Sequence, residues 1–146
     1  MLYSIGEVSA RFGLPVSTLR YYDREGLLPG VQRLNGGIRR FSESSLEALR
    51  VIECLKKSGM ELRDIRQFML WCREGPATYR QRLELFEKRR AELEQQLEHL
   101  QRTLAMIDFK RWYYTRALHD GSEDFAADIP DGLPEDVRAL YELSHE

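Results

Sequence analysis

Cysteine is nearly absent from this chain: Cys54 and Cys72 are the two it has in 146 residues. Two thiols without close spacing exclude a disulfide framework and point to free cysteines in a reducing compartment. Histidine is also sparse. His99, His119 and His145 are scattered, none with a His or Cys at i+4, so no metal-ligand set is legible. No apolar run reaches the roughly 18 residues that read as a membrane span, and no basic–apolar leader opens the chain. The expectation is a soluble, cytoplasmic protein with no membrane partner. No nucleophile–base pair, phosphate-cradling glycine loop or paired-carboxylate motif stands out, so an enzyme is disfavoured and no cofactor or metal is expected. Internal repeats and low-complexity stretches are missing as well.

What is present starts with uneven charge. The net charge of −2 hides a basic body with an acidic tail: residues 1–118 hold 21 Lys/Arg and 15 Asp/Glu, whereas residues 119–146 hold one Arg and nine acids. A basic body is compatible with a polyanion partner. The strongest pattern is an apolar repeat in steps of four and three: Tyr79, Leu83, Phe86, Arg90, Leu93, Leu97, Leu100, Leu104, Ile107, Arg111, Tyr114, Leu118. An average step of 3.5 is the signature of a coiled-coil seam. A helix of about 40 residues is roughly 60 Å long, and nothing else in the chain can cover it. Leu83, Phe86, Leu93, Leu97, Leu100, Leu104 and Ile107 are therefore expected to bury against a second copy. In the flanking positions, Arg82 and Arg89 precede Glu87 and Glu94 by five residues, a spacing that suits parallel pairing.

Ahead of the seam, Ser4 with Glu7 reads as a capping box opening a helix through Phe12, with Ile5, Val8 and Phe12 on one face and Gly13 ending it. Pro15 opens a second helix that Gly26 stops. Two short helices joined by a glycine-containing turn form a helix-turn-helix candidate. Asn35-Gly36-Gly37 then marks a hairpin, read as a small two-stranded wing. A third helix is capped by Ser42 or Ser44, the latter forming a box with Glu47, and has Ala48, Val51, Ile52 and Leu55 as its apolar face. A fourth, from about Glu61 to Arg73, is expected to bury Leu62, Ile65, Phe68, Met69 and Cys72. Gly75-Pro76 separates it from the long helix. In the tail, a short helix from Pro134 to Leu143 is expected to anchor through Val137, Leu140 and Tyr141.

A helix-turn-helix leads with its second helix in the major groove. Here those residues are Ser17, Thr18, Arg20 and Tyr21. Hydroxyls near a helix N-terminus suit phosphate oxygens; Arg20 can fork onto guanine or phosphate; Tyr22 offers an aromatic body with a polar tip, although one tyrosine of the pair is expected in the core. Arg33, Arg39 and Arg40 of the wing, with Lys56 and Lys57 at the end of the third helix, complete the expected DNA-binding set.

Thr18-Leu19-Arg20-Tyr21-Tyr22-Asp23-Arg24-Glu25-Gly26-Leu27-Leu28, then Gly37-Ile38-Arg39-Arg40-Phe41 and Leu55-Lys56-Lys57-Ser58-Gly59-Met60, resembles the MerR family of bacterial transcription regulators. The resemblance covers residues 1 to about 118. It implies a mainly α fold: a winged helix-turn-helix DNA-binding domain over 1–75 and an antiparallel coiled-coil dimerisation helix over 76–119; beyond the resemblance lies the short acidic tail, 120–146. It implies a homodimer on a palindromic promoter element in double-stranded DNA, whose overlong spacer is bent and untwisted, so that RNA polymerase is engaged indirectly through the promoter. By the same resemblance Arg20, Tyr22 and Arg39 match DNA-contacting positions. The chain departs from the family at Ile38 and Phe41, where tyrosine is common.

Cys54 lies off the apolar face of its helix, with Arg50 four residues before it and Lys57 three after. Neighbouring cations favour the thiolate, the reactive form. The stretch Cys54–Met60, with Trp71 and Lys110-Arg111-Trp112-Tyr113-Tyr114, is similar to the thiol-based, aldehyde-responsive branch of the family, which implies a sensing role for Cys54. Trp112, Tyr113 and Tyr114 could line a ligand site with the tail or pack on the partner's helices. Two other readings stay open: a regulator of reversibly bound small molecules, and a coiled-coil adaptor that binds no DNA.

Overall fold

The computed structural model describes residues 1–146. The chain is mainly helical and divides into two compact units, Met1–Glu87 and Lys88–Glu146. The first holds strand β1 (Tyr3–Ser4), helices α1 (Ile5–Phe12) and α2 (Val16–Arg24), strands β2 (Gln32–Leu34) and β3 (Ile38–Phe41), and helices α3 (Glu43–Lys57) and α4 (Leu62–Glu74). A 3-10 turn over Pro76–Thr78 leads into α5 (Tyr79–Asp120), which runs on through the second unit; α6 (Glu135–His145) follows. No helix is long and apolar enough to cross a membrane.

Local chemistry sets the boundaries. Ser4 Oγ accepts from the Glu7 amide at 3.1 Å and the Ser4 amide donates to the Glu7 carboxylate at 2.6 Å, the expected capping box. That bond to the Ser4 amide holds the Glu7 carboxyl below the usual carboxylate range. Gly13, at φ 66°, ends α1 in the left-handed region that favours glycine. Of the two caps expected for α3, Ser42 is the one used. Ser42 pairs with Ser45 rather than Ser44 with Glu47, because buried Ser45 also donates to the Pro29 carbonyl at 2.5 Å and so ties the cap to the preceding loop. A Cβ at Gly30 would collide with the hydroxyls of Ser42 and Ser44, which reserves that position for glycine.

The wing has three strands, not two, in the order β1-β3-β2, with Tyr3 opposite Phe41 and Leu34 opposite Ile38. Beneath it, Val8, Leu19, Tyr22, Leu27, Phe41, Leu46, Leu49, Ile52 and Ile65 form the core. Leu46 and Leu49 take the place expected for Val51, which is exposed: the face of α3 is rotated by part of a turn. On α4, Ile65 is fully buried and Phe68 and Met69 half-buried, but Cys72 is exposed rather than core. The core under α4 thins toward its C-terminal end, where Arg73 reaches back to the Gly26 carbonyl instead.

At the start of α5, buried Thr78 places its hydroxyl 2.7 Å from the Trp71 carbonyl and 2.8 Å from that of Gly75. Arg82 donates to Thr78 Oγ1 at 3.0 Å and to Gly75 O at 2.7 Å. In the second unit, α6 and the segment before it form a small core on α5: Phe109, Leu133 and Val137 are buried, with Trp112, Tyr113, Leu140 and Tyr141 around them. Trp112 and Tyr113 thus pack within their own chain, both against Phe125. The expected tail anchors are all in place.

The repeat itself is uncovered. Tyr79, Leu83, Phe86, Leu93, Leu97, Leu100, Leu104, Ile107, Tyr114 and Leu118 are 40 to 86% exposed. A solvated strip of ten large apolar side chains along one helix far exceeds the scattered singles that any surface carries.

Candidate nucleic-acid interface

α2 is locked into the first unit by Leu19 and Tyr22, which are buried. The helical period therefore turns Ser17, Arg20, Tyr21 and Arg24 outward, and all four are exposed, with Thr18 half-buried beside them. Tyr22 is the core member of the tyrosine pair, 2% exposed, so what it offers at the surface is its hydroxyl rather than its ring. Lys56 Nζ donates to that hydroxyl at 2.8 Å, and it lies 3.3 Å from the Glu53 carboxylate. Burial pushes the Tyr22 phenol up, and the bond to that phenol raises the Lys56 ammonium too. The charge of Lys56 is thereby fixed beside α2. Lys57 is exposed at the end of α3 and touches none of these groups.

The wing arginines divide into two kinds. Asp23, on the last turn of α2, accepts from Arg39 Nε at 2.7 Å and from Arg33 at 3.3 Å. Arg39 is held most tightly, its side chain 17% exposed against 56% for Arg33. Arg20 and Arg40 have no salt-bridge partner. Together with Arg39, Ser4, Ile5, Ile38, Gly36 and Gly37 they line one open cleft between the start of α1, α2 and the hairpin. The structure thus brings Arg20, Arg39 and Arg40 together and keeps two of those cations unpaired. Asp23 was missed by sequence reasoning; an acid on an otherwise basic helix was the signal for it.

Cys54 is exposed on α3, as expected. Of its expected cationic neighbours, Arg50 is paired with Glu47. No group of His, Cys, Asp and Glu in the chain is arranged to hold a metal ion.

Residues 3–70 match the family described as MerR HTH family regulatory protein, and residues 46–108 the one described as MerR, DNA binding. An uncharacterized HTH-type transcriptional regulator of Haemophilus influenzae is 38% identical, over 84% of this chain and 90% of its own. Among solved structures, HiNmlR, a MerR family regulator lacking the sensor domain and bound to promoter DNA, is 37% identical; the match covers 84% of this chain and 98% of that one with a TM-score of 0.66. A MerR family regulator from Listeria monocytogenes is 30% identical over 86% and 95% of the two chains, with a TM-score of 0.70.

Proposed function

This chain belongs to the MerR family of DNA-binding transcriptional regulators, and we propose that it works in the cytoplasm as a homodimer on a palindromic promoter element, activated by aldehyde or electrophile stress through Cys54. The observation that carries the dimer is the exposed apolar strip of α5, which no segment of the chain covers. A second copy, paired antiparallel along that strip, holds two helix-turn-helix heads at a set distance, as a two-fold symmetric site demands. The bound dimer bends and untwists an overlong spacer, and RNA polymerase reads the change through the promoter. Such deformation costs several kcal/mol, so a difference of a few kcal/mol between two protein states is enough to switch it.

Recognition rests on the α2 face of Ser17, Thr18, Arg20 and Tyr21, with Arg40, Arg33 and Lys56 for the backbone. Cys54 is an accessible thiol on α3, the helix whose Lys56 is bonded to Tyr22 of the recognition helix, so a change at Cys54 lies within two residues of a tie to the reading head. The test is a gel shift with the DNA flanking its own gene, followed by a promoter reporter exposed to aldehyde. Wild type is expected to bind and respond; Cys54→Ser is expected to bind equally and not respond. An undiminished response in Cys54→Ser ends the thiol reading and leaves the DNA reading intact.

A further inference from the structure

The hydroxyl of Tyr22 sits on a ring that the core holds still. It accepts from Lys56 Nζ at 2.8 Å and donates to Glu53 Oε1 at 3.3 Å. Burial pushes the phenol up, so its proton stays in place for the second bond at neutral pH. Glu53 and Lys56 stand three residues apart on α3, and their charged atoms are 3.5 Å from each other. Lys56 Nζ also lies 5.6 Å from the centre of the Tyr22 ring. Carboxylate, phenol and ammonium therefore close a triangle across α2 and α3. An ordinary surface glutamate swings away when a polyanion approaches. Glu53 is tied to a buried residue of the α2 helix, with its own side chain mostly covered, so its negative charge stays where it is. The other acid beside α2 differs in this respect. Asp23 meets two arginines, Arg33 and Arg39, and is outnumbered by them. At Glu53 the charges cancel one for one.

We propose that Glu53 is a built-in counter-anion for Lys56: it positions the ammonium beside α2 and cancels most of the ionic affinity that this lysine would bring to a DNA backbone. This rests on the reading above in which Lys56 faces the backbone, and it adds a residue that limits binding to those that promote it. A cation that reaches a phosphate displaces counterions from DNA. One whose charge is already met inside the protein displaces fewer. Glu53 therefore leaves its mark on the salt dependence of binding as well as on its strength. The ionic part of affinity is blind to sequence, so the restraint acts on every duplex alike.

The probes are fluorescein-labelled duplexes enriched from a random library by the full-length protein, and scrambled versions of them, read by anisotropy across a salt series. Glu53→Gln is expected to bind both kinds about threefold tighter at low salt, with a salt slope steeper by about one. Lys56→Gln alone is expected to leave the slope nearly unchanged, because its charge is already met. The same change made in Glu53→Gln is expected to take the added slope away again. Glu53→Asp keeps the charge and is expected to keep the wild-type slope, whereas Glu53→Ala, a second neutral variant, is expected to behave like the glutamine. Circular dichroism checks that each variant keeps its helix content. A folded Glu53→Gln or Glu53→Ala with unchanged slope or weaker binding would overturn the proposal and leave DNA binding intact. So would a fall of about one in the slope of Lys56→Gln alone, which also decides the matter if the neutral variants do not fold. Failure of wild type to enrich any duplex would remove the DNA reading itself, and the role of Glu53 with it.

Discussion

Replacing Leu100 with aspartate tests the dimer at the middle of the strip. Leu100 is 62% exposed in the single chain. Full burial of a leucine is worth about 1.5–3 kcal/mol, so covering the exposed part contributes about 1–2 kcal/mol per protomer. The pairing is symmetric, so the loss counts twice, about 2–4 kcal/mol per dimer. At 1.4 kcal/mol per decade the dimer constant weakens roughly 30- to 700-fold. That is a lower bound, because an uncompensated carboxylate in the seam adds a desolvation cost of its own. Sedimentation equilibrium reads the constant directly, and circular dichroism checks that helix content is retained. A duplex carrying both half-sites should lose affinity in parallel, while binding to a single half-site should change little. A wild-type chain that sediments as a folded monomer at micromolar concentration would refute the reasoning, as would a Leu100→Asp dimer of unchanged strength.

Two further outcomes follow from the geometry of the first unit. Asp23→Asn removes the charge that holds Arg39 and Arg33, and is expected to cost about 1–2 kcal/mol in urea denaturation, with faster amide exchange over Gln32–Leu34 and Ile38–Phe41; unaltered exchange there would show that the wing does not depend on Asp23. Glu7 has its carboxyl depressed by the Ser4 amide, so its contribution is present above the unfolded carboxylate value near 4.3 and lost as pH falls through the lower folded one; amide exchange of α1 should rise across that acid window in wild type and be flat in Glu7→Gln.

What the residues revealed in advance was mostly what local chemistry decides. The Ser4–Glu7 box, the Gly13 stop, the Asn35-Gly36-Gly37 turn and the long helix from Tyr79 each depend on neighbours within a few positions, and each is where it was expected. The misses depend on partners far away in the chain. β1 is two residues long and exists because Phe41 and Arg40 lie beside it; no periodicity can announce so short a strand. Of the two caps expected for α3, Ser42 prevails with Ser45 as its partner, and Pro29, sixteen residues before Ser45, supplies an acceptor for that partner. Cys72 sits on what reads as an apolar stripe, but the stripe outruns the core. Tyr21 and Tyr22 were indistinguishable in isolation; the hydroxyl partners Glu53 and Lys56, on another helix, decide which one is inside.

The charges flanking the strip illustrate the same division with a consequence for chain direction. Arg82 and Arg89, each five residues before a glutamate, favour parallel pairing when read along the sequence. In the folded chain neither arginine is available for that purpose. Arg82 is spent on Thr78 and the Gly75 carbonyl at the root of α5, and Arg89 is paired with Glu92 one turn on. Glu94, one of the two required acceptors, is taken by Arg90 at 3.0 Å. A parallel dimer would have to break these contacts to form surface ion pairs worth about 0–1 kcal/mol each. The electrostatic case for parallel pairing therefore disappears once the helix is folded, and the choice of direction falls to the packing of the apolar strip. Arg90 and Arg111 interrupt that strip, and each is already paired within its own helix, to Glu94 and Asp108. Their side chains can bend to the flank with those partners, leaving the leucines between them, from Leu93 to Leu104, as the continuous apolar centre about which either direction must be built.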